Sequence, residues 1–151
     1  MIKIICFGKI KEQYLKDALK DYEKRLSKYT KLSIIELNDE PDKNQELALK
    51  KEKESLLKVL NKKDNLIILD INGKTYNSKA LANKINQELV FNNNITFLIG
   101  SSNGLDEEIK NLTTKQISFS SLTFPHGLFR LILLEQLYRS FKILNNESYH
   151  K

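Results

Sequence analysis

Residues 66–100 read LIILDINGKTYNSKALANKINQELVFNNNITFLIG. Leu66 to Ile71 is an apolar run too short for a helix and is followed by a turn at Asn72-Gly73-Lys74, so it reads as a buried strand. Ser78 is placed to cap a helix whose apolar face is Leu81, Ile85 and Leu89. Ile95 to Ile99 is a second short apolar run, closed by Gly100. Strand, helix, strand in about 35 residues is the parallel crossover unit, and its strands are apolar throughout because helices cover both faces of such a sheet.

The same unit recurs on either side. Ile2 to Phe7 is a buried strand ended by Gly8. Residues 12–29 place Leu15, Ala18, Leu19, Tyr22, Leu26 and Tyr29 at helical spacing, with Lys16, Lys20 and Lys24 on the outer face. Leu32 to Leu37 forms a strand, residues 38–44 a loop, and residues 45–60 a helix with a solvated charge run from Lys50 to Glu54. After the glycine-containing loop 100–104 come an acidic helix start at Asp106, a strand at Gln116 to Phe119, and a last helix from Pro125, suited to its first position, to about Ile143. The order is β-α five times. It predicts one α/β domain over 1–151, a mostly parallel sheet flanked by helices.

The composition agrees. The 151 residues are 40% hydrophobic with 5 Gly and 2 Pro, which excludes collagen-like and disordered chains and supplies one core. No apolar run approaches the ~18 residues of a membrane helix, and lysines interrupt the first residues where a secretion signal would be apolar, so a cytoplasmic protein is expected. Cys6, the sole cysteine, is read as a small buried hydrophobe. The net charge is +6, and all but three of the 25 basic residues are lysine. Most of the excess lies in residues 1–31. Such a balance permits nucleic-acid binding without demonstrating it.

Ligands of open parallel sheets bind beyond the carboxyl ends of the strands, which directs attention to LDINGK (69–74), GSSNGLDEE (100–108) and SSLTFPH (120–126). The second matches no phosphate-binding glycine motif, and Asp106, Glu107 and Glu108 would crowd the helix start where a phosphate needs bare amides. Asp70 ends a strand like a phosphoacceptor, yet lacks the acidic pair that chemistry requires. One Cys and two His provide no metal site, and the serine-hydrolase elbow is absent. In the last helix Arg130 shares a face with Leu133, Leu134, Leu137 and Phe141. A charge there must reach the edge, pair with a carboxylate such as Glu135 of a second subunit, or bind an anion at a site completed by dimerisation. His126 starts that helix. The tail 145–151, composed as a frayed end, contains the other histidine, His150.

Three segments together, MIKIICFGKIKEQYL, FLIGSSNGLDEEI and SLTFPHGLFRLILLEQLYRSFKILNNESYHK, resemble the RlmH family over essentially the whole chain. The resemblance implies a SPOUT-class fold with a C-terminal trefoil knot and a homodimer. It also implies transfer of a methyl group from S-adenosyl-L-methionine to N3 of a pseudouridine in helix 69 of 23S rRNA, in assembled ribosomes. By the same resemblance the donor is held by Leu69, Gly100 and the loop Phe119, Ser120, Ser121, Leu122, Thr123, Phe124. His126, Arg130, Tyr149 and His150 are then the catalytic candidates, the tail ordering over the partner's site, with His126, Tyr149 or His150 assisting removal of the N3 proton. No metal and no membrane enter. One departure stands out, Ser101 where the family usually has a second glycine. The competing expectation is a catalytically silent ribosome-binding module of the same fold, its donor pocket spoiled by Ser101. For an rRNA enzyme the chain is short, so dimerisation is expected to supply surface and the Lys face of residues 12–29 to dock the ribosome.

Overall fold

The computed structural model describes residues 1–41 and 43–149. Five strands, β1 (Ile2–Phe7), β2 (Leu32–Leu37), β3 (Leu66–Thr75), β4 (Ile95–Ile99) and β5 (Gln116–Ser118), form one sheet in the order β2-β1-β4-β3-β5, every pair parallel. Between and after them run α1 (Gln13–Leu26), α2 (Gln45–Val59), α3 (Ser78–Phe91), α4 (Glu107–Lys110) and α5 (His126–Leu144). The fold class read from the sequence is the one observed.

Strand alternation sorts the core into two layers. Ile4, Cys6, Ile67, Phe97, Ile99 and Ile117 face α1, α3 and α5, while Ile5, Phe7, Ile68 and Leu98 face α2 and α4. Cys6 is buried as expected, and burial pushes its thiol up to about 11.

Four local readings are corrected. Asn72-Gly73-Lys74 lies inside β3 rather than in a turn beyond it. The Asp70 carboxylate accepts from the Asn72 amide at 2.8 Å, the strand bows outward, and Lys74 and Thr75 return to pair with Ile117 and Ser118. Leu69 and Lys74 thereby both pair with Ile117, and a Cβ on Gly73 would sit 2.6 Å from that residue's backbone, so only hydrogen fits there. The cap of α3 is Asn77, whose side chain accepts from the Ala80 amide at 2.8 Å, and Ser78 is the first helical residue. Pro125, with ψ 140, is the residue before α5 and not its first. Finally, α1 stops at Leu26, and Tyr29 packs beyond it by stacking on Phe141 at 5.6 Å.

At the opposite edge from the loops singled out above, the buried Glu88 carboxylate receives Lys115 (2.6 Å), Asn65 (2.9 Å) and Lys84 (2.6 Å). Burial alone would push this carboxyl up, but the three donors outweigh it and hold it at about 2, against an ordinary 4.5. Because the folded value is the lower one, ionised Glu88 stabilises the fold above pH 4.5, and that contribution drains away as pH falls toward 2. Glu88→Gln is expected to cost about 2 kcal/mol at pH 7 in urea melts, with the gap to the parent chain shrinking progressively below pH 4.5.

Candidate functional site

A cavity of about 410 Å³ opens at the carboxyl ends of β3, β4 and β5, within the size range of small-molecule sites. Its walls come from the three segments that the parallel-sheet rule selects. The bowed part of β3 contributes Leu69 to Asn72, the loop after β4 contributes Gly100 to Leu105, and the loop into α5 contributes Phe119, Leu122, Thr123, Phe124 and His126. Phe129 of α5 stacks on Phe124 (6.0 Å) and tilts against Phe119 (5.5 Å), so these rings form a continuous apolar wall.

Glycine is required in the second wall. A Cβ on Gly100 would lie 2.8 Å from the Gly104 carbonyl oxygen, because Ser101 and Gly104 exchange backbone hydrogen bonds (3.2 and 3.0 Å) and fold the loop against its own start. The Ser101 hydroxyl donates to Glu52 of α2 at 2.7 Å. In the third wall Ser120 accepts from the Leu122 amide at 2.9 Å and shapes the turn. Of the eight expected donor-site residues, Leu69, Gly100, Phe119, Leu122, Thr123 and Phe124 line the cavity, and Ser120 and Ser121 do not.

The charges present fit a ligand without phosphate. Asp106 caps α4 by accepting from the Glu108 amide (2.9 Å) and is paired with Lys53 (3.4 Å), so the helix amides are already engaged. Asp70 is 3.7 Å from Lys110, and both line the cavity. Lys110 is a wall residue that no sequence signal marked, because its role follows from α4 folding back over β3. Among the described residues no three His, Cys, Asp or Glu side chains are grouped to hold a metal, and no helix is long and apolar enough to cross a membrane.

Of the catalytic candidates among the described residues, only His126 lines the cavity. Half-buried His126 is on the cavity wall. Arg130, one turn further along α5, is not in the cavity lining; it is 2% exposed, pairs with Glu36 of β2 and donates to the Gly8 carbonyl at 2.9 Å. Glu135, the expected partner from a second subunit, is instead bonded to Arg139 of its own helix at 2.6 Å. Glu36, 94 residues away, is a partner that spacing cannot reveal.

Tyr149 is found beside the carboxyl-terminal half of α5. Its ring meets Tyr138 edge-on (5.0 Å), Arg139 lies over it (4.9 Å) and its hydroxyl donates to Glu135 (3.2 Å). A hydrogen bond with Tyr22 and burial push its phenol above the usual range, so in this position it keeps its proton. These partners lie nine to thirteen residues along α5 from His126, about 13–20 Å of helix, and Tyr149 is not among the residues that line the cavity. His150 and Lys151 lie outside the described residues.

Residues 1–150 match a family model described as "Predicted SPOUT methyltransferase". Proteins named ribosomal RNA large subunit methyltransferase H are similar over nearly their full lengths. That of Clostridium botulinum is 49% identical, covering 99% of each chain. The Malacoplasma penetrans protein is 47% identical at 99% of each, and that of Caldicellulosiruptor saccharolyticus 44% at 100% of each. Among solved structures, a "probable methylase family protein" from Haemophilus influenzae superposes with a TM-score of 0.58 at 15% identity, covering 99% of this chain and 70% of that one, a likeness of fold alone.

The geometry of Arg130 yields a stability test. Its Nε is buried without a partner, and removing the side chain leaves Glu36 and the Gly8 carbonyl without their donor. Arg130→Ala is expected to lower the unfolding free energy by about 3 kcal/mol in urea melts. A variant as stable as the parent would show the pair to be structurally idle.

Proposed function

The chain belongs to the SPOUT methyltransferase family, and on that footing we propose that it methylates N3 of a pseudouridine in helix 69 of 23S rRNA, acting in the cytoplasm on assembled ribosomes with S-adenosyl-L-methionine as donor. The trefoil knot is part of the same reading. The observation that carries it is that Leu69, Gly100 and the loop through Phe124, far apart in sequence, meet in one cavity. The names of the full-length relatives support the rRNA substrate.

When bound, the donor supplies a methyl group already activated on sulfur. The chain must therefore hold, align and keep dry, and positioning supplies most of the rate. The apolar wall of Phe119, Phe124 and Phe129 excludes water and accepts a flat ring, and the backbone of the loops after β4 and β5 provides polar contacts without charge. N3 gains the methyl group and loses its proton, which His126 on the cavity wall receives. Tyr149 is a binding residue in this scheme, not a base.

A homodimer is part of the same reading. Tyr149 packs on Glu135, Tyr138 and Arg139 of its own helix and not in its own cavity, and in this reading it and His150 serve the site of a second copy. The silent-module reading loses its physical basis, because the Ser101 hydroxyl bonds to Glu52 rather than filling the donor cavity.

Docking falls to α1. One exposed stripe of this helix and its extension carries Lys16, Lys20, Lys24 and Lys28 four residues apart, with no hydrogen-bond or ion-pair partner within the chain among the described residues, while a neighbouring stripe is internally paired through Gln13–Asp17 and Asp21–Arg25. Like charges at this spacing weaken a helix. They suit a phosphate backbone, whose counterions they release.

Isothermal titration is expected to show micromolar binding of S-adenosylmethionine, and mass spectrometry a new methyl group on helix 69 of ribosomes treated with the protein. Deleting 149–151 should abolish methylation while sparing donor binding. Mixing that variant with one carrying an obstructed cavity should restore activity, and failure of the mixture to recover would exclude a shared site. Exchanging Lys16, Lys20 and Lys24 for Ala should flatten the log–log salt dependence of ribosome binding by about 2–3.

A further inference from the structure

Behind the donor cavity, on the α2 side of the sheet, lies a carboxylate that the proposed reaction does not use. Glu52 is 2% exposed. Among the described residues no lysine or arginine pairs with it, since neighbouring Lys53 is engaged by Asp106 and Glu108. Both of its oxygens are nevertheless occupied. Oε1 accepts from the Glu40 amide at 3.0 Å, and Oε2 accepts from the Ser101 hydroxyl at 2.7 Å.

Burying a carboxylate with neutral donors alone is costly, and each donor then carries a large share of the compensation. Ser101 is itself 7% exposed, and its oxygen also accepts from the Asn103 amide at 3.1 Å. A chain of hydrogen bonds thus runs from the loop after β2, through Glu52, to the turn 101–104. That turn is one wall of the cavity and, among the described residues, is otherwise closed by the two backbone bonds between Ser101 and Gly104, with a long contact from Gln45 to the Asn103 carbonyl (3.4 Å).

We propose that Glu52 is a positioning residue for the methyl donor: through the Ser101 hydroxyl it fixes the turn 101–104 at the height at which it forms a wall of the cavity against the ligand. The inference rests on the reading of this cavity as the donor site. In this arrangement the serine at 101 is a functional part of the wall, and Glu52 and Ser101 work as a pair. Glutamine at 52 preserves part of the link because a hydroxyl can reverse its direction, whereas alanine at 101 leaves both the carboxylate and the Asn103 amide short of a partner.

The test uses the full-length chain, with donor affinity by titration, KM and kcat on ribosomes, and thermal midpoints. Ser101→Ala is expected to weaken S-adenosylmethionine binding about tenfold and to raise its KM alike, with kcat at saturating donor within about threefold of the parent. Glu52→Gln is expected to weaken binding about three- to tenfold. The double variant should be no worse than Ser101→Ala, since the two changes remove one interaction. Ser101→Thr, which keeps the hydroxyl, should bind within about twofold of the parent.

Donor affinity within twofold of the parent in Ser101→Ala, or fully multiplicative losses in the double variant, would overturn the proposal. So would lowered thermal midpoints with unchanged donor affinity, the mark of a purely structural bond. Should Glu52→Gln not fold, Ser101→Ala against Ser101→Thr decides alone. A parent chain that binds no S-adenosylmethionine fails differently, by removing the donor reading on which the proposal stands.

Discussion

Both Leu69 and Lys74 of β3 pair with Ile117 of β5, and the rest of the site depends on that double use of one residue. The four residues between them must leave the sheet, and Gly73 brings the chain back so close to Ile117 that no side chain fits. The departure builds the first wall of the cavity and the return anchors β5. With β5 fixed, the loop through Phe124 and the start of α5 face the same opening. Parallel pairing of all five strands supplies the other half of the constraint, because it puts every carboxyl end on one edge. A ligand site formed from three distant segments follows from backbone geometry, with few side-chain specifications.

That economy explains what was legible in the sequence. Apolar runs and helical spacing are local signals, so β4 is bounded correctly from its residues alone and the α/β class follows from the order of elements. The cavity loops are legible for a different reason, since ligands of parallel sheets bind beyond the carboxyl ends of the strands. Asn72-Gly73-Lys74 misled because a bulge and a turn call on the same residue types, and only pairing with β5 distinguishes them. Asn77 and Ser78 are both competent caps, and their competition is settled by one backbone angle. Arg130 was correctly marked as anomalous in an apolar stripe, but its partner lies on an edge strand, a long-range fact without a local signature. Glu52 gave no signal at all, as it is one charge among many in a helix whose neighbours are solvated.

The two sides of α5 divide labour. His126 and Phe129 face the cavity, whereas Arg130, one residue on, ties α5 to β1 and β2. A polar cluster of Glu135, Tyr138, Arg139 and Tyr149 lies along the second half of the helix. Stability and chemistry are therefore interleaved residue by residue along one helix.

The placement of β1 between β2 and β4, with α1 packed against α5, also has a kinetic meaning. Ile2 must wait for Ile95 before its second edge is paired, and Leu19 and Leu26 share a core with Leu133, Leu137 and Phe141 from the end of the chain. These core contacts close long loops, which slows folding relative to a helical bundle. During synthesis the first helix keeps an apolar stripe uncovered until the last helix has emerged. A chain of this topology is complete only when its end has been made.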